Sequence, residues 1–272
     1  MKIEITNGNY TIQWGGTYFI ALQDYPTIHP AELDRISKFI AYEKYYHRKT
    51  EIICNNKLLL EKITDYVAQD TPEYPFFPFS KESSAIYTEE SLCLVSDFVS
   101  HTTTIDTAKQ IFTDGKLLSA VQALKKSSTD LVMDSRNAAS DPADYFDYIM
   151  FAWSNVTSGY RLAMERLLHR APTENELNEL FVPGVSFHFL YENLAKEPNF
   201  IFDGYHLVKI KDKVDLDGLL FICVIPEQNR SEFENIVPNS LKSRVVYLKY
   251  DGDGLKNWTK KVYQTVTEWN DL

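Results

Sequence analysis

The chain is poor in the residues that covalent staples and metal ribbons need. Its 272 residues hold three cysteines, Cys54, Cys93 and Cys223, far apart and without a C-x-x-C pair. Such a set supports neither a disulfide framework nor a zinc ribbon, and reads as buried thiols in a reducing compartment. Positive charge is also short. Against 38 Asp+Glu stand 28 Lys+Arg, a formal net charge of -10. That excludes a broad field for non-specific DNA binding; any basic groove must be local. Long apolar runs are missing. Those such as Leu219–Ile225 have strand length, far below the ~20 residues that cross a bilayer. No basic segment followed by an apolar stretch opens the chain, so no signal peptide is read. A cytoplasmic protein with no membrane association is expected. The Walker loop GxxxxGK[ST], GxGxxG, HExxH, HxE…PCxxC and GxSxG are all absent, as is a dense Asp/Glu/His cluster at ligand spacing. No metal is expected.

What is present is a well-supplied core. Hydrophobic residues reach 44% and aromatic residues 14%, enough to bury a core without staples. Lys2–Ile5 and Tyr10–Trp14 alternate around Asn7-Gly8-Asn9, which predicts a hairpin. Thr17–Leu22 continues as strand. Pro30–Tyr46 has helical spacing with Pro30 in the first turn. Glu51–Cys54 reads as strand, and Asn55 or Asn56 caps a helix from Lys57 to about Ala68. Three prolines between Pro72 and Pro78 then break the pattern, and the aromatics among them call for packing rather than a loose tether. The organisation read is a small α/β accessory module over 1–70, a Pro/aromatic linker over 71–90 and a second domain over 91–272.

In the second part Ser91–Val99 is an apolar run ending in Ser100-His101-Thr102-Thr103. Ile105–Phe112 is helical, with Gly115 at the position after its end. Lys125–Asp144 is polar and reads as a mobile loop. Tyr148–Trp153 is a strand, Gly159–Arg170 a helix, and Thr173–Leu180 a short helix with a capping box of Thr173 and Glu176. Val185–Leu190, Tyr205–Ile210, Leu219–Ile225 and Val245–Tyr250 are strands, and Trp258–Trp269 is an amphipathic closing helix.

A polar side chain at a strand end is where sites are commonly built, which marks His101; the structural alternative is a histidine that caps the next helix or meets a carbonyl. Tyr148, Phe151 and Trp153 offer aromatic faces for stacking, with core packing as the alternative, favoured for Phe151. Arg161 and Glu165 share a helix face. They are read either as a surface ion pair or as a phosphate-binding arginine with a glutamate that orients it or serves as a catalytic acid. The remaining histidines, His29, His47, His169, His188 and His206, are read as structural.

The pattern Phe98-Val99-Ser100-His101-Thr102-Thr103…Ile105…Ala108…Ile111-Phe112…Gly115-Lys116-Leu117-Leu118-Ser119 resembles the opening of the ADP-ribosyltransferase-like superfamily. That group includes poly-ADP-ribose polymerases, DarT-type DNA ADP-ribosyltransferases and tRNA 2′-phosphotransferases. The resemblance covers roughly residues 90–250. It implies an α+β fold with a split β-sheet core and helices, here joined to the small N-terminal α/β module. It implies NAD as substrate, with His101, Thr102 and Thr103 at the ribose, Tyr148 or Trp153 against nicotinamide, and Arg161 at a phosphate. Phe233-Glu234-Asn235-Ile236-Val237-Pro238 is similar to the Glu-x-(Leu/Ile)-Val-Pro element of DarT-type enzymes. The carboxylate that stabilises the ribosyl cation is accordingly Glu234 or Glu227, the latter ending a strongly apolar strand. Trp153-Ser154-Asn155…Gly159-Tyr160-Arg161-Leu162…Met164-Glu165-Arg166 is similar to a block of an uncharacterised bacterial family sometimes labelled a transporter ATPase, a label the missing Walker loop contradicts.

The expectation is an NAD-dependent ADP-ribosyltransferase or NAD glycohydrolase of toxin or phage-conflict type, acting on a macromolecular acceptor, protein or nucleic acid. The alternative is a non-catalytic nucleotide-sensing or partner-binding protein of the same fold. A third reading, nucleic-acid processing along Lys125, Lys126, Lys209, Lys211 and Lys242, is weak on an acidic chain.

Overall fold

The computed structural model describes residues 1–7, 12–22, 24–69, 71–77, 96–133, 141–204 and 206–270. Cys93 and the start of the Ser91–Val99 run lie outside them. The protein is mixed α+β with two main sheets.

Strands β1 (Lys2–Thr6), β2 (Ile12–Trp14), β3 (Thr17–Ala21) and β4 (Glu51–Cys54) form a sheet in the order β2-β3-β1-β4. The expected hairpin of β1 with β2 does not form. β1 runs parallel to β3 and β4, and the antiparallel hairpin joins β2 to β3. The turn decides this. Gly15 and Gly16 both have positive φ, 59° and 72°, and a two-residue turn of that hand matches the twist of paired strands. Helix α1 (Pro30–Tyr45) opens where Glu32 reaches back to the His29 amide at 2.8 Å. It buries Leu33, Ile36, Phe39 and Tyr42. In α2 (Lys57–Gln69) Asn56 is the capping residue, its Oδ1 accepting from the Leu59 amide at 3.0 Å. Tyr74 and Phe76 of the proline-rich stretch pack against Tyr42, Tyr45, Tyr46 and Phe202.

The second part runs β5 (Phe98–Thr103), α3 (Ile105–Asp114), β6 (Lys116–Leu118), α4 (Ala120–Leu124), α5 (Ser128–Val132), a 3-10 turn (Ala143–Asp147) and β7 (Tyr148–Trp153). It continues with α6 (Ser158–Leu168), α7 (Glu174–Asn178), β8 (Val185–Leu190), α8 (Tyr191–Leu194), β9 (Phe200–Ile201), β10 (Val208–Lys211), β11 (Lys213–Asp215), β12 (Leu220–Pro226), α9 (Arg230–Phe233), β13 (Val245–Leu248) and α10 (Gly254–Asn270). The Lys125–Asp144 stretch is not wholly loop. Ser127 caps α5, accepting from the Asp130 amide at 3.2 Å, and Leu131 is fully buried; residues 134–140 lie outside the described set.

Seven strands form one sheet in the order β13-β12-β8-β5-β7-β10-β9, antiparallel throughout except for β12 with β13. Alternation sends successive side chains to opposite faces. One face is continuous: Val99, Phe151, Phe187, Phe189, Ile210 and Cys223 pack with Ala108, Ile111 and Phe112 of α3. The other face is divided. Phe98, Ile222 and Val224 meet α6 and α10 through Tyr160, Met164, Trp258, Val262 and Val266. Met150 and Ile201, with Tyr145 of the 3-10 turn, belong instead to the cluster of the N-terminal sheet. Among the described residues no helix is long and apolar enough to cross a membrane.

Candidate functional site

β5 pairs with β8 along all six of its residues, from Phe98↔Leu190 to Thr103↔Val185. Its ladder with β7 is much shorter: Val99↔Trp153 and Ser100↔Ala152, then nothing further. His101 stands where that ladder stops. Its Nδ1 lies 3.2 Å from the Met150 carbonyl of β7, so it does meet a carbonyl. The Ser154 amide donates to the Phe98 carbonyl at 3.0 Å. By antiparallel alternation the Met150 carbonyl is therefore the one a continued ladder would have paired with the Thr102 amide. The imidazole takes that place.

The chemistry of this contact is definite. A carbonyl only accepts, so Nδ1 carries the hydrogen and Nε2 is left as an acceptor. Burial pulls the pKa down to about 4, with the Met150 bond opposing and Arg166 adding to the fall. His101 is neutral at pH 7, half-buried, with the Phe151 ring 5.9 Å away at an edge-on angle. The segment beyond is built as its residues suggest. Thr104 caps α3 by accepting from the Thr107 amide, and Gly115 ends it at φ 66°, with Leu117 buried behind.

Thr102 is half-buried and abuts α6. A Cβ on Gly159 would sit 2.7 Å from its Oγ1, so a residue without a side chain is needed for α6 to approach. Thr103 is fully buried, its carbonyl pressed by Gly184, which removes it from any ligand surface. Trp153 packs tilted against Tyr191 at 5.4 Å and Phe151 meets Phe189 edge-on at 5.5 Å, both inside the main core. Tyr148 is half-buried, with the Lys209 ammonium 4.5 Å from its ring centre.

Arg161 and Glu165 are no surface pair. Their side chains are 5% and 3% exposed, with Nε and Oε1 3.6 Å apart. Burial raises the Glu165 pKa and the arginine opposes it. Arg161 lines a small pocket with Thr157, Glu174, Leu177, Asn178, Leu255 and Lys256.

Glu227 does not converge on His101. Cys223 is in register with Phe187, and Phe187 with His101. Glu227 lies four residues further along, about 13 Å down the strand direction and about 10 Å across two strand spacings. Its carboxylate is occupied by Arg230 through bonds of 2.8 and 2.9 Å, which lower its pKa. Glu234 is exposed just past α9.

Two buried polar clusters were not anticipated by sequence reasoning. Under α6, Tyr160 donates to Ser186 at 2.8 Å, Ser186 contacts His188 Nε2 at 2.8 Å, and His188 Nδ1 contacts Ser154 at 2.9 Å. Burial holds the His188 pKa down to about 3, so it is a neutral, satisfied core histidine, as its structural reading required. Under the N-terminal sheet lies a charged cluster. Lys209 is fully buried and donates to the Tyr42 hydroxyl at 2.7 Å, with Asp203 Oδ2 at 3.5 Å. Asp203 also holds His206, through Nδ1 at 2.6 Å and the backbone amide at 2.7 Å. Arg48 bridges Glu43 and Asp144 at 2.8 Å each. A lysine so enclosed cannot touch a phosphate, which breaks the proposed lysine track.

Comparison of the chain with protein-family models, curated proteins and solved structures finds no match.

Proposed function

We propose that the protein binds NAD at the opening between β5 and β7 and cleaves its nicotinamide–ribose bond in the cytoplasm, as an ADP-ribosyltransferase or NAD glycohydrolase. The observation that carries this reading is His101 at the end of the two-pair ladder, with its tautomer set by Met150 so that Nε2 accepts. A ribose hydroxyl is a matching donor. In the reaction the C1′–N bond breaks with its electron pair leaving on nicotinamide. The acceptor's oxygen or nitrogen bonds to C1′, and its proton passes to solvent. The acceptor is a macromolecule or water.

A second reading, nucleotide sensing without turnover, is favoured by Glu227, which lies along the sheet from His101 and has its carboxylate occupied by Arg230. One experiment separates the two. Purified protein is titrated with NAD by calorimetry and assayed for nicotinamide release, alongside His101→Ala, Glu227→Gln and Glu234→Gln. Transfer predicts binding and release, both lost in His101→Ala, with release lost in one glutamate variant. Binding without release, unchanged in both glutamate variants, establishes sensing. No binding at millimolar NAD overturns both.

A further inference from the structure

His101 and the N-terminal sheet are connected through one residue of β7. Met150 gives its carbonyl to His101 Nδ1, stands in register with Lys209 of β10, and packs its side chain into the N-terminal cluster. Lys209 is where that cluster grips the second part of the chain. Its ammonium lies 4.5, 4.3 and 4.5 Å from the ring centres of Tyr42, Tyr145 and Tyr148. Tyr42 belongs to α1, while Tyr145 and Tyr148 flank the start of β7. The grip is interleaved further: Tyr145 donates to Glu43 at 2.8 Å, and Arg48 ties Glu43 to Asp144. A fully buried ammonium is strongly disfavoured without such partners, and aromatic faces around it add cation–π attraction. The Met150 and Lys209 face of β7–β10 is thus held by the N-terminal part, while Phe151, Trp153, Val208 and Ile210 on the other face share the main core. β5 is held by β8 along its length and by α6 through the Gly159–Thr102 contact. Along the backbone, two residue pairs, the Ser154 amide–Phe98 carbonyl bond and the His101–Met150 bond join β5 to β7.

We propose that the N-terminal sheet is a positioning arm for His101, acting through the Tyr42–Lys209 contact and the Met150 carbonyl. Lys209 and Tyr42 are positioning residues, not catalytic ones, since neither has an exposed atom to offer a ligand. Any partner or ligand that loosens the arm alters the tautomer and acceptor strength of His101 at a distance. The functional meaning of this control rests on the NAD reading, but its test does not use NAD, so the two fail separately.

The test is nitrogen-15 NMR of the histidine rings in the full chain, comparing wild type with Lys209→Met and Tyr42→Phe. Methionine fits an aromatic cage without charge, and Tyr42→Phe removes a single hydroxyl. In wild type His101 is expected to carry its hydrogen on Nδ1 and to titrate near 4, and His188 near 3. In both variants His101 is expected to gain the other tautomer and, losing the Met150 bond that holds its pKa up against burial, to titrate below its wild-type value. His188, backed by α6, stays where it was. Unchanged His101 signals overturn the proposal, and so does an equal movement of His188, which would mean general loosening. Should Lys209→Met fail to fold, the Tyr42→Phe spectrum decides alone.

Discussion

The two buried polar clusters on the divided face of the large sheet differ in kind. The one beneath α6 is neutral: a tyrosine, two serines and a histidine whose hydrogen bonds close within a small neighbourhood. The one beside the N-terminal part is charged, and its groups meet partners near in sequence, as Arg48 does Glu43 and Lys209 does Asp203, and also distant ones, as when Lys209 meets Tyr42 or Arg48 meets Asp144. A neutral chain needs only hydroxyls within reach. Buried charges need specific counter-groups. The charged cluster therefore welds two sequence regions together, while the neutral one fills a core.

The sharpest way to break this comparison is Asp203→Ala. It leaves Lys209 and His206 without their shared carboxylate, and a loss of about 3–5 kcal/mol in urea denaturation is expected. A loss no greater than that of a neutral hydroxyl would erase the distinction. Acid comes next. His188 and His101 have folded pKa values lowered to about 3 and about 4. Below 6.5 the unfolded chain takes up protons that the folded one refuses. Stability is full above 6.5 and falls as pH drops toward 4, on the order of a few kcal/mol in all. A urea midpoint flat across that window would mean that the rings protonate in the fold. The smallest effect is Tyr160→Phe, which removes the end of the neutral chain while Ser186 keeps His188. About 1 kcal/mol is expected from calorimetric melting, and a loss several times larger would make the neutral chain as demanding as the charged one.

Much of the local architecture was legible because it depends on neighbours in sequence. The capping box at Thr173–Glu176, Gly115 past the end of α3 and the run Tyr148–Trp153 are found in the fold. Pairing was less legible. The hairpin was placed at Asn7-Gly8-Asn9, but the two-glycine turn at Gly15-Gly16 closes it, and both signals look alike from within the chain. At the site, His101 was marked by its place at a strand end. The Arg161–Glu165 spacing was seen, but its burial by neighbouring helices was not. Lys209 misled most. Between Val208 and Ile210 a lysine signals an outward, solvated face; here that face is covered by Tyr42 of α1 with Tyr145 and Tyr148.

By itself the sequence determined where most of the longer strands and helices lie, and that a histidine stands near a strand end before a capped helix. Those outcomes follow from backbone propensity, capping and two- or 3.6-residue periodicity, all short in range. Tertiary structure decided what each polar residue meets. It set the His101 tautomer through the Met150 carbonyl, buried Lys209 among tyrosines from two regions, and left Glu227 with Arg230. A side chain's charge state depends on burial and on counter-groups that only folding brings within a few ångströms.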